Sequence, residues 1–165
     1  MTVRAVRETV LIVGSGYAEV AFLRHLKSLY TSKAEGRGLT VGNARGGRAV
    51  DVVAEAERIG RRLPHKVLVA LFDAALDSKG GATAAAQKKK IVAVSCDPCL
   101  EAVLLRLHGD LTERDSAGHK GAFAHRFGGP AHEPAVYALH FPQELLNSTR
   151  ANCQQLDQLL RILGC

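Results

Sequence analysis

No stretch of this 165-residue chain approaches the roughly 18 consecutive apolar residues that a bilayer span needs, so no membrane helix is expected. The opening Met1-Thr-Val-Arg-Ala-Val-Arg7 lacks the long apolar core of a secretory signal, and cytoplasm is the expected location. Only four cysteines occur, Cys96, Cys99, Cys153 and Cys165, and without an export signal they are expected to be reduced rather than bridged. The glycine turn Gly14-Ser-Gly-Tyr-Ala-Glu19 lacks a Walker A lysine, which argues against a P-loop nucleotide site. A dinucleotide fingerprint would need glycine where Glu19 stands. No internal repeat is visible, which sets aside solenoid architectures.

What is present is an ordinary globular mix, 47% apolar and 23% charged, long enough for one domain with a real core. The formal charge is +6, with arginine outnumbering lysine. Such a balance suits polyanionic partners through phosphate contacts, and equally a merely soluble basic surface.

The chain is organised around Lys66-Val-Leu-Val-Ala-Leu-Phe-Asp-Ala-Ala-Leu-Asp77. An unbroken apolar run followed by an acid reads as a parallel strand buried on both faces, with chemistry at its carboxyl end. Similar reasoning predicts strands at 10–13, 39–41 and 91–94, and helices at about 18–30, 48–62, 84–90 and from Pro98 to about 108. The order βαβαβαβα predicts an α/β fold: a doubly wound, mostly parallel, Rossmann-like four-stranded sheet flanked by helices. Residues 31–38 read as a polar loop, and 42–47 as a flexible glycine loop. The core is expected to span 1–108. Residues 109–165 then form a loop or lid, one short helix near 120–127, and a C-terminal helical extension from Pro142 that packs on one sheet face.

Three motifs could carry chemistry. The turn at 14–19 can aim backbone N–H groups at an anion, or simply turn the chain. Asp73 and Asp77 can hold Mg²⁺, which prefers hard oxygen donors, or remain solvated loop acids. Cys96-Asp-Pro-Cys99 between strand and helix has the arrangement of a thioredoxin-like thiol oxidoreductase. The alternatives are small buried cysteines or, with Cys153 and Cys165, a zinc site. His119, His125 and His132 fall in one glycine-rich stretch, as general acids, ligands or solvated loop residues. Lys120 and Arg126 in that stretch, and the run Lys88, Lys89 and Lys90, are the candidate nucleic-acid contacts.

Three segments together resemble the Toprim family, in particular its RloB and AbiLii-like branch of bacterial defence and mobile-element proteins. Leu11-Ile-Val-Gly-Ser-Gly-Tyr-Ala-Glu-Val-Ala-Phe-Leu23 resembles the branch's "vEGxTExxFL". Val67-Leu-Val-Ala-Leu-Phe-Asp73 resembles the strand leading to its D-x-D. Cys96-Asp-Pro-Cys-Leu-Glu-Ala-Val-Leu-Leu-Arg-Leu-His108 resembles its "SNPCFExWLLLH", with Cys96 where serine is usual. The resemblance implies a Toprim-like core and Mg²⁺-dependent breakage or joining of nucleic-acid phosphodiesters. Asp73 would be the retained ligand, with Asp77, Glu19 and Glu101 as further candidate acids. It also exposes two departures: the family's glutamate falls on Ser15 and its second aspartate on Ala75. A hydroxyl and a methyl cannot replace two anionic ligands. The expectation is therefore a nucleic-acid-binding Toprim relative with cleavage impaired or lost and Mg²⁺ held weakly or not at all. An active nuclease using Asp73 and a non-catalytic subunit of a protein assembly are the rivals.

Overall fold

The computed structural model describes residues 7–31 and 37–165; residues 32–36 of the expected polar loop lie outside the described residues. Four strands, β1 (Thr9–Gly14), β2 (Gly38–Asn43), β3 (Val67–Asp73) and β4 (Val92–Cys96), form one wholly parallel sheet in the order β2-β1-β3-β4. Helices α1 (Tyr17–Tyr30), α2 (Ala49–Gly60), α3 (Gly81–Lys88) and α4 (Leu100–Leu107) follow the strands in turn. The chain is thus an α/β protein with a Rossmann-like sheet between two helical layers. The winding reverses between β1 and β3, which pair directly from Val10↔Val67 to Gly14↔Leu71. Such a reversal opens a crevice beyond the carboxyl ends of the two strands.

Strand alternation explains the unbroken apolar runs. Val10, Ile12, Val69, Leu71, Val94 and Cys96 face one core, shared with α1, α4 and the C-terminal helices. Leu11, Val13, Ala70 and Phe72 face the other, against α2 and α3. Both faces are covered, so neither set of alternate positions is polar.

Several boundaries differ from the sequence reading. The expected loop after Asp73 begins with a 3-10 turn, Ala74–Asp77. Pro98 precedes α4 instead of opening it, because Cys99, in an extended conformation, is the N-cap. Residues 109–134 hold α5 (Ser116–Phe127), which starts earlier than expected because the Asp115 carboxylate accepts the Gly118 N–H at 2.7 Å. A further helix, α6 (Pro134–His140), went unread; proline opens it and Tyr137 is buried beneath it, its hydroxyl donating to the Ala131 carbonyl at 2.6 Å. The leucine stripe after Pro142 is divided into α7 (Gln143–Thr149), a 3-10 turn (Arg150–Asn152) and α8 (Gln154–Ile162), broken at extended Cys153. Leu156, Leu159, Leu160 and Leu163 pack on one sheet face, as anticipated. Among the described residues no helix is long and apolar enough to cross a membrane.

Phe72 is fully buried in the α2–α3 layer. Phe72→Ala is expected to cost about 3–5 kcal/mol in urea unfolding; a loss below about 1 kcal/mol would contradict this packing.

Candidate functional site

The crevice at the reversal is a cleft of about 370 Å³ whose lining includes Ser15, Glu19, Asp73, Glu101, Lys120 and His132. Three strand ends and α5 build it. At the end of β1 the Ser15 N–H donates to the Leu71 carbonyl of β3 at 3.0 Å, holding residues 14–19 beside Asp73. The loop after β2 closes over this end: Ala44 N–H donates to Gly14 O at 2.9 Å and Gly46 N–H to Ser15 O at 2.7 Å. α1 then starts so close to β1 that a Cβ on Gly14 would lie 2.8 Å from the Glu19 Cβ. Glycine at this position lets the first turn of α1 carry Glu19, 5% exposed, over the strand end.

Asp73 is the last residue of β3 and 8% exposed. Its Oδ1 accepts the Leu100 N–H at 2.9 Å, one of the unsatisfied amides at the start of α4. The next residue, Glu101, is 6% exposed; its Oε2 is buried without a partner, and its Oε1 lies 3.9 Å from the Lys120 Nζ. Three buried carboxylates thus share the cleft with one ammonium, which approaches Glu101 only to 3.9 Å. Burial, then the neighbouring Glu19, pushes the Asp73 carboxyl up to about 7, against the Leu100 amide, with Glu101 raising it further and Lys120 opposing. Burial alone would lower the Lys120 ammonium, but Glu101 and Asp73 outweigh it and the net shift is upward.

The structure brings together Ser15, Glu19, Asp73, Glu101, Lys120 and His132, and places Asp77, Ala75, Arg126 and the lysines at 88–90 outside the cleft lining. Asp77 does not line the cleft: its Oδ1 accepts the Ala82 N–H at 2.9 Å, and its Oδ2 accepts the Thr83 hydroxyl at 2.8 Å. It caps α3, so its expected role as a metal ligand is corrected. Ala75 is exposed on the 3-10 turn, its N–H donating to Pro98 O at 3.1 Å. Lys88, Lys89 and Lys90 end α3 at the amino end of β4, the sheet edge opposite the cleft, where Lys89 pairs with Glu57 at 2.5 Å. Arg126 donates to His108 O at 3.2 Å and lies over the Phe127 ring, outside the cleft lining.

Four acids from the sequence reading thus reduce to three, and they make a poor donor set for a hard cation. Ser15 and Ala75 bring no anionic oxygen, and one Asp73 oxygen is taken by an amide. Among the described residues no group of three or more His, Cys, Asp or Glu is placed to hold a metal ion. The cysteines are equally unsuited to redox work. Cys96 and Cys99 are free and buried; burial drives the Cys96 thiol well up and the Cys99 thiol to about 11. Asp73 raises both thiols further, where an activated cysteine needs a positive neighbour.

Two contributors escaped the sequence reading. Gly46, at φ +87°, closes the cleft with its amide, and a positive φ is what its Gly46-Gly47 context signals. The wall at Pro130 and Ala131 comes from the segment between α5 and α6, which no periodic pattern marked. Comparison with known proteins gave no matching family model, no similar curated protein and no similar solved structure. The reading of the cleft therefore rests on its own geometry.

Folded Asp73 keeps its proton to about pH 7, whereas its ordinary value is 3.8. The folded chain thus binds more protons across this window, and the contribution of Asp73 to stability declines as pH rises through it. Asn at this position still accepts the Leu100 N–H and cannot ionise. Relative to wild type, Asp73→Asn is expected to gain stability steadily from pH 4 to 7 and level off above. Urea unfolding across that pH range checks this; a pH-independent difference would contradict it.

Proposed function

We propose that this chain is a Toprim-like nucleic-acid-binding protein, of the kind found in defence or mobile-element systems, whose phosphodiester cleavage is impaired or lost. The observation that carries the reading is the convergence of Ser15, Glu19, Asp73, Glu101 and Lys120 at the β1–β3 reversal. The chain order of these groups, one acid-bearing turn after the first strand and one aspartate after the third, is that of the family it resembles. Lys120, whose side chain is 55% exposed, is positioned to neutralise a phosphate entering the cleft. The proton held by Asp73 lowers the repulsion that three carboxylates would otherwise exert on that phosphate. Ser15 and Ala75 account for weak catalysis, since each removes an anionic oxygen from the family's pattern.

Anisotropy titrations with labelled single- and double-stranded DNA and RNA test the binding. The chain is expected to bind at about 50 mM salt, to weaken along a linear log–log salt dependence, and to leave the strands intact with Mg²⁺. Lys120→Glu should weaken binding roughly tenfold. Ser15→Glu, which puts a further carboxylate on the cleft lining, is expected to tighten Mg²⁺ binding in calorimetry. No binding to any of the four would end the proposal. Mg²⁺-dependent cleavage by wild type, abolished in Asp73→Ala, would replace it with an active nuclease.

A further inference from the structure

A second concavity, of about 400 Å³, adjoins the acidic cleft and shares Tyr17 and His132 with it. Its floor is apolar, from Val20 and Ala21 of α1 and Pro134 and Ala138 at α6. Tyr17, Ala21 and Arg24 recur at helical spacing on one face of α1, with about 10 Å of helix axis between the first and the last. Tyr17 is 71% exposed, an unusual state for a large ring at the mouth of two joined cavities. Arg24 is exposed and makes no hydrogen bond or ion pair with any described residue. His25, by contrast, is held in the wall by a 2.7 Å hydrogen bond to Phe141 O.

We infer that this groove is a base-stacking subsite for one unstacked nucleotide of a single strand. The base lies on the Tyr17 ring against the apolar floor, and an adjoining phosphate sits at the Arg24 guanidinium. The assignment rests on the nucleic-acid reading above and adds the form of substrate to it. A flat, free aromatic face, an apolar slot and an unpaired guanidinium at one end are the elements that bind single strands without reading sequence. A base paired and stacked in a duplex cannot enter such a slot without being splayed out. Arg24 adds a second positive charge to that of Lys120 in the cleft, so a strand crossing from one cavity to the other meets Lys120 first and Arg24 second.

The full chain contains no tryptophan, so Tyr17→Trp places a single indole reporter in the groove. Its emission is expected to be quenched on titration with 12-residue oligodeoxyuridylate and oligouridylate, which differ only in the sugar. A response to both strands assigns the shared base-and-phosphate chemistry, and a response to one names the sugar that is accepted. By anisotropy, Tyr17→Ala should weaken binding roughly tenfold, while Tyr17→Phe, which keeps the ring, stays within about twofold of wild type. Arg24→Ala should reduce the salt-dependence slope by about 0.7, the loss of one phosphate contact to a single strand. Wild-type binding that is unaltered in Tyr17→Ala, with an unchanged slope in Arg24→Ala, overturns the subsite and leaves the nucleic-acid reading standing. Absence of wild-type binding to both single strands overturns the subsite, and absence of binding to the duplexes as well overturns the nucleic-acid reading with it.

Discussion

One hydrogen bond, from the Leu100 amide to the Asp73 carboxylate at 2.9 Å, joins the carboxyl end of β3 to the start of α4. Both partners are buried, and each needs the other. The Leu100 amide is an orphan donor at a helix start, and an unsatisfied buried donor costs about 1–3 kcal/mol. Asp73 is an acid at the end of an otherwise apolar strand, and it is only 8% exposed. The bond fixes α4 over the sheet edge and thereby sets Glu101 beside Asp73. From the other side, the close approach of α1 to β1 at Gly14 brings in Glu19. The carboxylates are gathered because the strand ends are gathered.

That crowding has a chemical consequence. Desolvation and like charge both disfavour a fully ionised cluster, and one lysine at 3.9 Å offsets only part of it. The site resolves the conflict by keeping a proton on Asp73 and leaving one Glu101 oxygen without a partner. Under the Toprim-like reading proposed above, Ser15 and Ala75 would stand at two ligand positions and this cluster would be the remainder. The groove beside it, with an exposed ring and a free guanidinium, offers the recognition surface that the acidic cleft alone does not.

Much of this was legible in the sequence, for physical reasons. Runs such as Val67 to Phe72 identify parallel strands because both faces of the sheet are covered, and acids directly after such strands identify the carboxyl edge. Residues 14–19 and Asp73 lie side by side at that edge because β1 pairs with β3 and the Ser15 N–H donates to Leu71 O. What stayed hidden depends on where side chains point. Asp77 looks like a second cleft acid until Ala82 and Thr83 turn it into a helix cap. Lys88, Lys89 and Lys90 look like a phosphate patch until the parallel topology sends them to the far edge of the sheet. α6 is only seven residues long, too short for a periodic signal, yet through Pro134 and Ala138 it builds a wall of the groove beside the cleft. Tyr17 reads as part of the turn at 14–19 and Arg24 as a residue away from the apolar stripe of the helix, because the facing wall comes from more than a hundred positions downstream.

A titration of the Asp73 carboxyl carbon by ¹³C nuclear magnetic resonance, on the folded chain without added metal or nucleic acid, tests this account most directly. The account predicts a midpoint of about 7, falling in Glu19→Gln as one crowding charge is removed. A midpoint close to the ordinary 3.8 would mean that the carboxylates neither share a desolvated cleft nor compete for the same lysine, and the account would be wrong.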